Sequence, residues 1–435
     1  MHVDILTVFP AAFDGIKTHS IWGRAQDKGL LSLNIHDIRM HSTDKHRRTD
    51  DTPFGGGAGL VMTAQPVVDA VGQLTMDNAQ LTGARRIYLS PRGKPLTHAL
   101  TKELAQEQAL TLLCGHYEGI DQRALDICGF EEISIGDYVL TGGEIPAMVL
   151  LDAVMRHIPG VLGCAESVEE ESFSGGLLEY PHFTRPAIYN KKPVPQVLQN
   201  GNHADITRWR TIESLKITAQ NRPDLIKHYI SSNITIRKER PGDYRQVLPL
   251  TYHAFTDLWY HIDRRRIDEH YLIYLLKKSK SVINKLCFVA ELNGVVVGHI
   301  LYTKSAFRRP GGTVAPTCTF GPLSVLPELQ RYGIGRRLAL HSMEAARDQG
   351  WKAVIITGIP EYYPKLGFKR AADFGLTMMD GTTADYFMAY ELESGYLAGG
   401  GKHCEQAPEF TQAEEDDAGF EAFHQQFISE VLDNG

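Results

Sequence analysis

The chain has 435 residues, 43% of them hydrophobic and 22% charged, a globular composition too long for one ordinary domain. No run approaches the roughly 18 apolar residues of a membrane span, and Asp4 stands in MHVDILTVFP where a secretory signal carries a basic flank, so the expectation is a cytoplasmic protein with no membrane partner. The net charge of −7 is unevenly spread: residues 403–435 hold nine acids and no Lys or Arg, so the first 402 set all 45 basic residues against 43 acids, and a nucleic-acid partner is not excluded.

The first 160 residues or so alternate strand-like and helix-like runs, the pattern of an α/β domain with a mostly parallel sheet. A basic stretch at residues 44–48 reads either as a phosphate contact or as a solvated surface, as does the later Arg208-Trp-Arg210. Strands are predicted at residues 86–90, 110–114 and 132–135, each running into a polar, glycine-bearing loop: SPRGKP, GHYEGID and GDYVLTGGE. Ligands of parallel sheets sit at the carboxyl ends of strands, so the three loops are expected to converge on one pocket. Residues 145–158 read as a buried helix, and residues 159–180, including SVEEESFSGG, lack any apolar period.

A helix is predicted to start at GNHAD, with Asn202 as cap and Asp205 three residues on, carrying Ile206, Trp209, Ile212 and Leu215 at helical spacing. From Asn233 a second α/β unit begins with ITIRKER, a helix over 244–255, and two strands joined by Asn293-Gly294, a turn pair that accepts positive φ. It extends to about Glu393, and the acidic end places Phe420, Phe423, Phe427 and Val431 on one candidate amphipathic helix. The expected domains are therefore 1–160, an interdomain loop 161–180, a helical part 181–230, a second α/β domain 233–393 and an acidic extension 394–435. The six cysteines form no C-x-x-C pair, so no zinc knuckle or disulfide framework is proposed, and no metal ligand is assigned.

The loop at residues 135–144 matches neither G-x-G-x-x-G nor a P-loop. Seven ordered motifs carry a resemblance instead: RRTDDTPFGGGAG (47–59), YLSPRG (88–93), CGHYEGID (114–121), SIGDYVLTGGEIPAM (134–148), IPGVLG (158–163), YPHFTRP (180–186) and GNHADITRWR (201–210). Together they make the first 230 residues resemble the bacterial tRNA (guanine-N1)-methyltransferases, the TrmD family of SPOUT enzymes. The resemblance implies a trefoil-knotted SPOUT α/β domain with a small helical subdomain, a homodimer with its site at the subunit interface, and S-adenosylmethionine bent in the knot. Its implied contacts are Leu89, Ser90, Pro91, Gly115, the run Ile135, Gly136, Asp137, Tyr138, Val139 and Leu140, and Gly143. Glycine suits such a site because bare main chain can approach adenine and ribose closely.

Methylation at guanine N1 needs a base for the N1 proton and a cation for the charge that develops on O6. The resemblance implies Arg156 as the cation, with an i−4 salt bridge to Asp152 as the plain structural alternative. The family's base is an aspartate donated across the dimer interface, and the matching position is Glu171, with Glu170 next to it if the register slips. That is a departure: the extra methylene moves the carboxylate by roughly 1.5 Å, and a misplacement of about 1 Å can cost on the order of 100-fold in rate. His116, commonly arginine in the family, and Ala58, commonly proline, are further departures, whereas Glu118 matches and is expected to hold the target base. That base must leave its stack to be methylated, and the resemblance makes it the guanosine immediately 3′ of the tRNA anticodon. Arg185, His203 and Arg210 are candidate tRNA contacts, and magnesium is a family-level expectation with no carboxylate cluster of its own.

In the second unit QRYGIGRRL follows a strand and opens a helix, a setting that presents free N–H groups to a pyrophosphate. With YYPKLGF (362–368) downstream, it makes residues 233–393 resemble the mixed α/β GNAT N-acetyltransferases. The resemblance implies acetyl-CoA held by Gln330, Arg331, Gly333, Ile334, Gly335 and Arg336, with Leu323 and Val325 beside the pantetheine arm, and Tyr363 protonating the leaving thiolate. Tyr362 remains an alternative donor, a core role remains open for Tyr363, and neither Glu328 nor Glu361 is selected as the proton relay.

Overall fold

The computed structural model describes residues 1–77, 83–163, 171–256 and 266–429, arranged as two compact units, Met1–Gly175 and Gly176–Gly435. Glu170, Cys164 and Val431 lie outside the described residues. Among the described residues no helix is long and apolar enough to cross a membrane.

The first unit is built on five parallel strands: β1 (His2–Thr7), β2 (Ser32–Asp37), β3 (Arg85–Pro95), β4 (Ala109–Cys114) and β5 (Glu131–Ser134), in the order β2-β1-β4-β3-β5. The central strand β4 is buried at all six residues, which is why ALTLLC reads as an unbroken apolar run rather than an alternating one. Successive side chains serve opposite cores. Ile5, Leu89 and Leu112 pack with Ala147, Leu150, Leu151 and Val154 of helix α4 (Glu144–Met155), whereas Leu6, Tyr88 and Leu113 pack with Val67, Ala70 and Leu74 of α1 (Ala64–Asp77) and Leu125 of α3 (Gln122–Cys128). The unit also carries α2 (His98–Leu104) and, near its start, the short helix Ser20–Asp27 with buried Trp22. The predicted helix over 145–158 thus forms with shorter bounds, and Ile145 and Val149 on it are exposed rather than buried.

One irregularity shapes the site. β3 pairs with β5 through Leu89 opposite Ile133, then resumes with Lys94 opposite the same residue, so Ser90, Pro91, Arg92 and Gly93 loop out at the sheet's carboxyl edge. A Cβ on Gly93 would run into the main chain of Glu132 and Ile133, so only glycine closes this excursion.

The second unit opens with a hairpin, β6 (Ile188–Tyr189) and β7 (Lys192–Pro193), then helices α5 (His203–Asn221) and α6 (Pro223–Asn233). Its mixed sheet runs β8-β9-β10-β11-β12-β14-β13, from β8 (Thr235–Lys238), β9 (Phe288–Leu292), β10 (Val295–Arg308), β11 (Val314–Val325), β12 (Ala353–Thr357), β13 (Lys369–Arg370) and β14 (Phe387–Glu391). The predicted Asn293-Gly294 turn has φ of 46° and 76° at its two residues. Helices α7 (Tyr244–Thr256), α8 (Glu269–Leu276) and α9 (Ile334–Asp348) accompany the sheet, and Leu215, Ile226, Tyr229 and Ile230 share its buried core.

The acidic end is integral to this unit. Strand β15 (Gly401–Glu405) pairs with the end of β10, and helices α10 (Glu409–Glu415) and α11 (Asp417–Phe427) follow. Phe420, Phe423 and Phe427 are buried in the main core. Arg266 pairs with Asp417 at 2.5 Å, the Tyr271 hydroxyl donates to Asp416 at 2.8 Å, and fully buried His270 lies 3.0 Å from His424.

Candidate active sites

In the first unit the three loops do converge at the carboxyl ends of neighbouring strands β3, β4 and β5. Leu89, Ser90 and Gly115 are buried, Ile135 and Gly136 half-buried, and Pro91 and Asp137, Tyr138, Val139 and Leu140 exposed. The 135–143 loop curls on itself: the Ser134 hydroxyl donates to the Gly136 carbonyl (3.0 Å), and Gly136, at φ 154°, leaves no room for a Cβ beside the Tyr138 ring. The same loop crosses the end of β4 at van der Waals distance. A Cβ on Gly143 would lie 2.6 Å from Cys114 Cα and 2.7 Å from the Gly115 nitrogen, and the Gly143 N–H donates to the Gly115 carbonyl at 2.8 Å.

Glu144, buried in the first turn of α4, accepts a hydrogen bond from the Thr7 hydroxyl (2.6 Å), and His116 Nε2 lies 3.4 Å from its other oxygen. Sequence reading missed Thr7, Glu144, Gly93 and Gly142, because each is demanded by a partner far along the chain. His116 also packs against Phe9, with ring centroids 4.6 Å apart, so its role here is in loop geometry. Cys114 beneath the loop is held as a thiol, its pKa pushed well up by burial and, secondarily, by Glu144. Glu118 is exposed, with its carboxylate against the positive-φ turn at Gly59 and its N–H bonded to the Leu60 carbonyl (3.0 Å).

Arg156 caps the end of α4, and its guanidinium is bound to the Glu171 carboxylate. Asp152, the i−4 alternative, instead accepts from the Trp22 indole (2.8 Å). His98 and His157 neighbour this pair, ring centroids 5.0 Å apart, with His157 3.1 Å from the Thr101 hydroxyl. Burial pushes both imidazoles down from the ordinary histidine range, and Glu171 acts against that shift in each. The site therefore offers a glycine-lined main-chain cradle and, separately, a carboxylate paired with a guanidinium. The first fits a nucleoside-bearing cofactor recognised by backbone, because Gly115, Gly136 and Gly143 line it with main chain packed too closely against Tyr88, Tyr138 and Cys114 to carry side chains of their own. Among the described residues no group of three or more His, Cys, Asp or Glu side chains is placed to hold a metal, so no step is assigned to magnesium.

In the second unit β11 and β12 pair at Cys318–Val354 and then diverge, leaving the edge of β11 open where Leu323 and Val325 are half-buried. Arg331 (φ 66°) and Gly333 (φ 85°) bend the chain into the first turn of α9, where Gly333, Gly335 and Arg336 leave the main chain accessible and Ile334 anchors the turn inside. Gln330 ties this turn back to the Val325 carbonyl at 3.2 Å. A Cβ on Gly335 would meet the Tyr362 hydroxyl at 3.0 Å, so Tyr362 faces the glycine turn, and burial raises its pKa against the opposing pull of Arg336. Tyr363 packs on Phe320 and Phe368, at 5.8 and 5.7 Å, near the point of divergence. Glu328 and Glu361 are both exposed. A free helix N-terminus beside an open strand edge fits a pyrophosphate followed by an extended amide-bearing arm.

Comparison with known proteins bears on both sites. Residues 1–228 match the family described as tRNA (Guanine-1)-methyltransferase TrmD. The chain belongs to the TrmD family. Similar proteins named tRNA (guanine-N(1)-)-methyltransferase occur in Heliobacterium modesticaldum, 53% identical over 52% of this chain and 84% of the relative, and in Ruminiclostridium cellulolyticum, 51% identical over 54% of this chain and all of the relative. One from Aromatoleum aromaticum is 50% identical over 52% and 86%. Residues 248–368 match the acetyltransferase (GNAT) family, so a TrmD part is followed by a GNAT domain.

The TrmD part reaches into the second unit, and there lie the three candidate tRNA contacts. Arg185 and His203 are exposed; Arg210 stacks its guanidinium over the Tyr180 ring at 4.7 Å. Asn202 caps α5 by accepting from the Ala204 N–H (3.2 Å), while its amide donates to Asp205.

Proposed function

We propose that the TrmD part transfers a methyl group from S-adenosylmethionine to N1 of the guanosine immediately 3′ of the tRNA anticodon, and that the GNAT domain transfers acetyl from acetyl-CoA to an amine. The observation that carries the first half is the pairing of Arg156 with Glu171: a cation and a carboxylate of the two required kinds, brought together from a helix end and an aperiodic loop. When bound in the 89–93, 115 and 135–143 cradle, S-adenosylmethionine supplies the electrophilic methyl, and the S–C electron pair returns to sulfur. Glu171 takes the N1 proton as the N1–C bond forms. Arg156 donates to guanine O6, where negative charge develops. Glu118 positions the flipped base from the turn it shares with Gly59. The close passage of Gly143 over Cys114 and Gly115 supports the trefoil knot of the SPOUT fold.

Exposed apolar side chains on the cofactor loop and one face of α4, Val139 at 83%, Ile145 at 58% and Val149 at 44% exposure, support a homodimer with the site at its interface. In that dimer the Glu171 carboxylate serves the partner's pocket, so its pair with Arg156 opens on assembly with tRNA. In the GNAT domain the α9 turn would hold the pyrophosphate and β11 would align the pantetheine arm; as the amine's C–N bond forms and the thioester C–S bond breaks, Tyr363 protonates the departing thiolate, and the surplus proton of the acylated amine passes to solvent. With tRNA as substrate and bacterial relatives, the enzyme works in the cytoplasm.

A second reading draws on the same ion pair: a Glu171 that stays engaged by Arg156 never faces guanine, and the TrmD part then serves as a tRNA-binding module that delivers the acetyltransferase. Transfer of labelled methyl from S-adenosylmethionine to unmodified tRNA decides between them. Incorporation at guanine N1 supports the enzyme; none, with tRNA still bound, supports the module.

A further inference from the structure

The 135–143 loop is not held by its own residues alone. Three elements meet beneath it: the end of β1 through Thr7, the residue after the β4–Gly115 step through His116, and the first turn of α4 through Glu144. Glu144 is only 7% exposed, and its chain of contacts is continuous. The Phe9 N–H donates to the Thr7 hydroxyl oxygen (2.8 Å), the Thr7 hydroxyl donates to Glu144 Oε1 (2.6 Å), and His116 Nε2 stands 3.4 Å from Glu144 Oε2. Gly142 rests directly on this pair, since a Cβ there would lie 2.5 Å from both Glu144 Oε2 and His116 Nε2. Its neighbour Gly143 is in turn bonded to the Gly115 carbonyl.

A carboxylate buried this deeply is costly unless its oxygens have partners. The first turn of α4 favours a negative charge, but that alone places no loop. Glu144 has instead one oxygen on β1 and the other beside His116, so its side chain fixes the distance between the start of α4 and the ends of two strands, and thereby the height at which Gly142 and Gly143 pass over Gly115. That passage defines the floor of the cradle in which main-chain groups read the cofactor. We infer that Glu144, held by Thr7 and His116, is the positioning residue for S-adenosylmethionine binding: it touches no reacting atom, and it sets the shape of the 135–143 loop from below. The inference rests on the methyltransferase reading for its ligand.

The test uses the full-length chain and S-adenosylmethionine as the titrant in calorimetry, without tRNA, together with KM and kcat for methyl transfer. Glu144→Ala is expected to weaken binding and raise KM by about 10-fold or more, the order for losing a buried charge-assisted hydrogen bond, with kcat at saturating cofactor within about threefold of wild type. Glu144→Gln, which still accepts from Thr7, is expected to restore most of the affinity, and Thr7→Val to lose part of it. Since Glu144→Ala can fail to fold, thermal unfolding is measured in parallel, and Thr7→Val then carries the decision: unchanged affinity in a folded Thr7→Val chain overturns the proposal. So does a folded Glu144→Ala chain that binds within twofold of wild type, or one that loses kcat while keeping KM. A wild-type chain that binds no S-adenosylmethionine overturns the methyltransferase reading itself, an outcome distinct from any variant-specific loss.

Discussion

Replacing Glu171 separates a general base from a loop residue that merely decorates Arg156. The ion pair it makes in the isolated chain is partly open to solvent, with 37% of the Arg156 side chain and 28% of the Glu171 side chain exposed. Pairs of that kind contribute about 0–1 kcal/mol, so freeing the carboxylate to meet guanine costs at most about fivefold in rate. A general base contributes roughly 100- to 10,000-fold, far more than the pair can hide. Glu171→Gln keeps a carbonyl that can accept from Arg156 but cannot take the N1 proton, and it is expected to lose rate by that 100- to 10,000-fold, as is Glu171→Ala. Glu171→Asp withdraws the carboxylate by roughly 1.5 Å, weakening its hold on Arg156 while restoring the side chain usual in the family, and is expected to preserve or raise the rate. The assay is single-turnover transfer of labelled methyl to unmodified tRNA at saturating S-adenosylmethionine, with cofactor affinity measured separately to show it unchanged. A Glu171→Ala or Glu171→Gln enzyme that keeps more than a tenth of the wild-type rate refutes the assignment and returns this loop to a solvated linker.

Acid should loosen the carboxy-terminal helix. Burial, and then the facing His424, push His270 down to about 3, whereas an unfolded imidazole titrates near 6.5; the unfolded state therefore binds the proton first, so the stabilisation is complete above about pH 6.5 and is lost as pH falls from there toward 3, by about 2 kcal/mol at pH 5. Hydrogen exchange and thermal unfolding against pH check this, and a His270→Phe chain with the same acid slope would dismiss His270 as the cause. Tyr363→Phe keeps the ring packing on Phe320 and Phe368 and is expected to slow release of free CoA across an amine panel by about 100-fold or more; unchanged turnover removes Tyr363 as the proton donor. The β6–β7 hairpin offers tRNA an exposed aromatic ring among cations, with Tyr189 72% exposed and Lys191 and Lys192 beside it. Lys191→Ala with Lys192→Ala should lower the salt dependence of tRNA binding by about two units of slope, and Tyr189→Ala should cost about 1–3 kcal/mol; filter binding at several salt concentrations that shows neither change rules out the contact.

The parts of the fold legible in the sequence are those whose cause is local. β4 shows itself because a parallel strand covered on both faces must be apolar at every position from Ala109 to Cys114. The Asn293-Gly294 turn shows itself because its two positive φ values suit those two residue types. The β6–β7 turn needs positive φ at Asn190 and Lys191 as well, and with lysine in the second place it carried no such signal. Gly93 looked like one more turn glycine, yet what forbids a side chain there is the main chain of Glu132 and Ile133 in another strand. Glu144 looked like the polar end of a glycine run, and only the fold brings Thr7, 137 positions earlier, to its oxygen.

Arg156 and Glu171 fall between these cases. Their positions came from resemblance, since residues 159–180 have no period that could aim a side chain, and the sequence left Asp152 as the alternative partner for Arg156. The structure breaks that tie through a third residue. Trp22, buried on the helix Ser20–Asp27, donates its indole N–H to Asp152 and occupies the only helix-local acid within one turn of Arg156. With that acid spoken for, the guanidinium at the end of α4 is left to a carboxylate from the loop, and Glu171 is the described acid that reaches it. The indole of Trp22 thus helps keep Arg156 available to exchange one partner for another, Glu171 at rest and guanine O6 in the reaction, which is the exchange the Glu171 series measures.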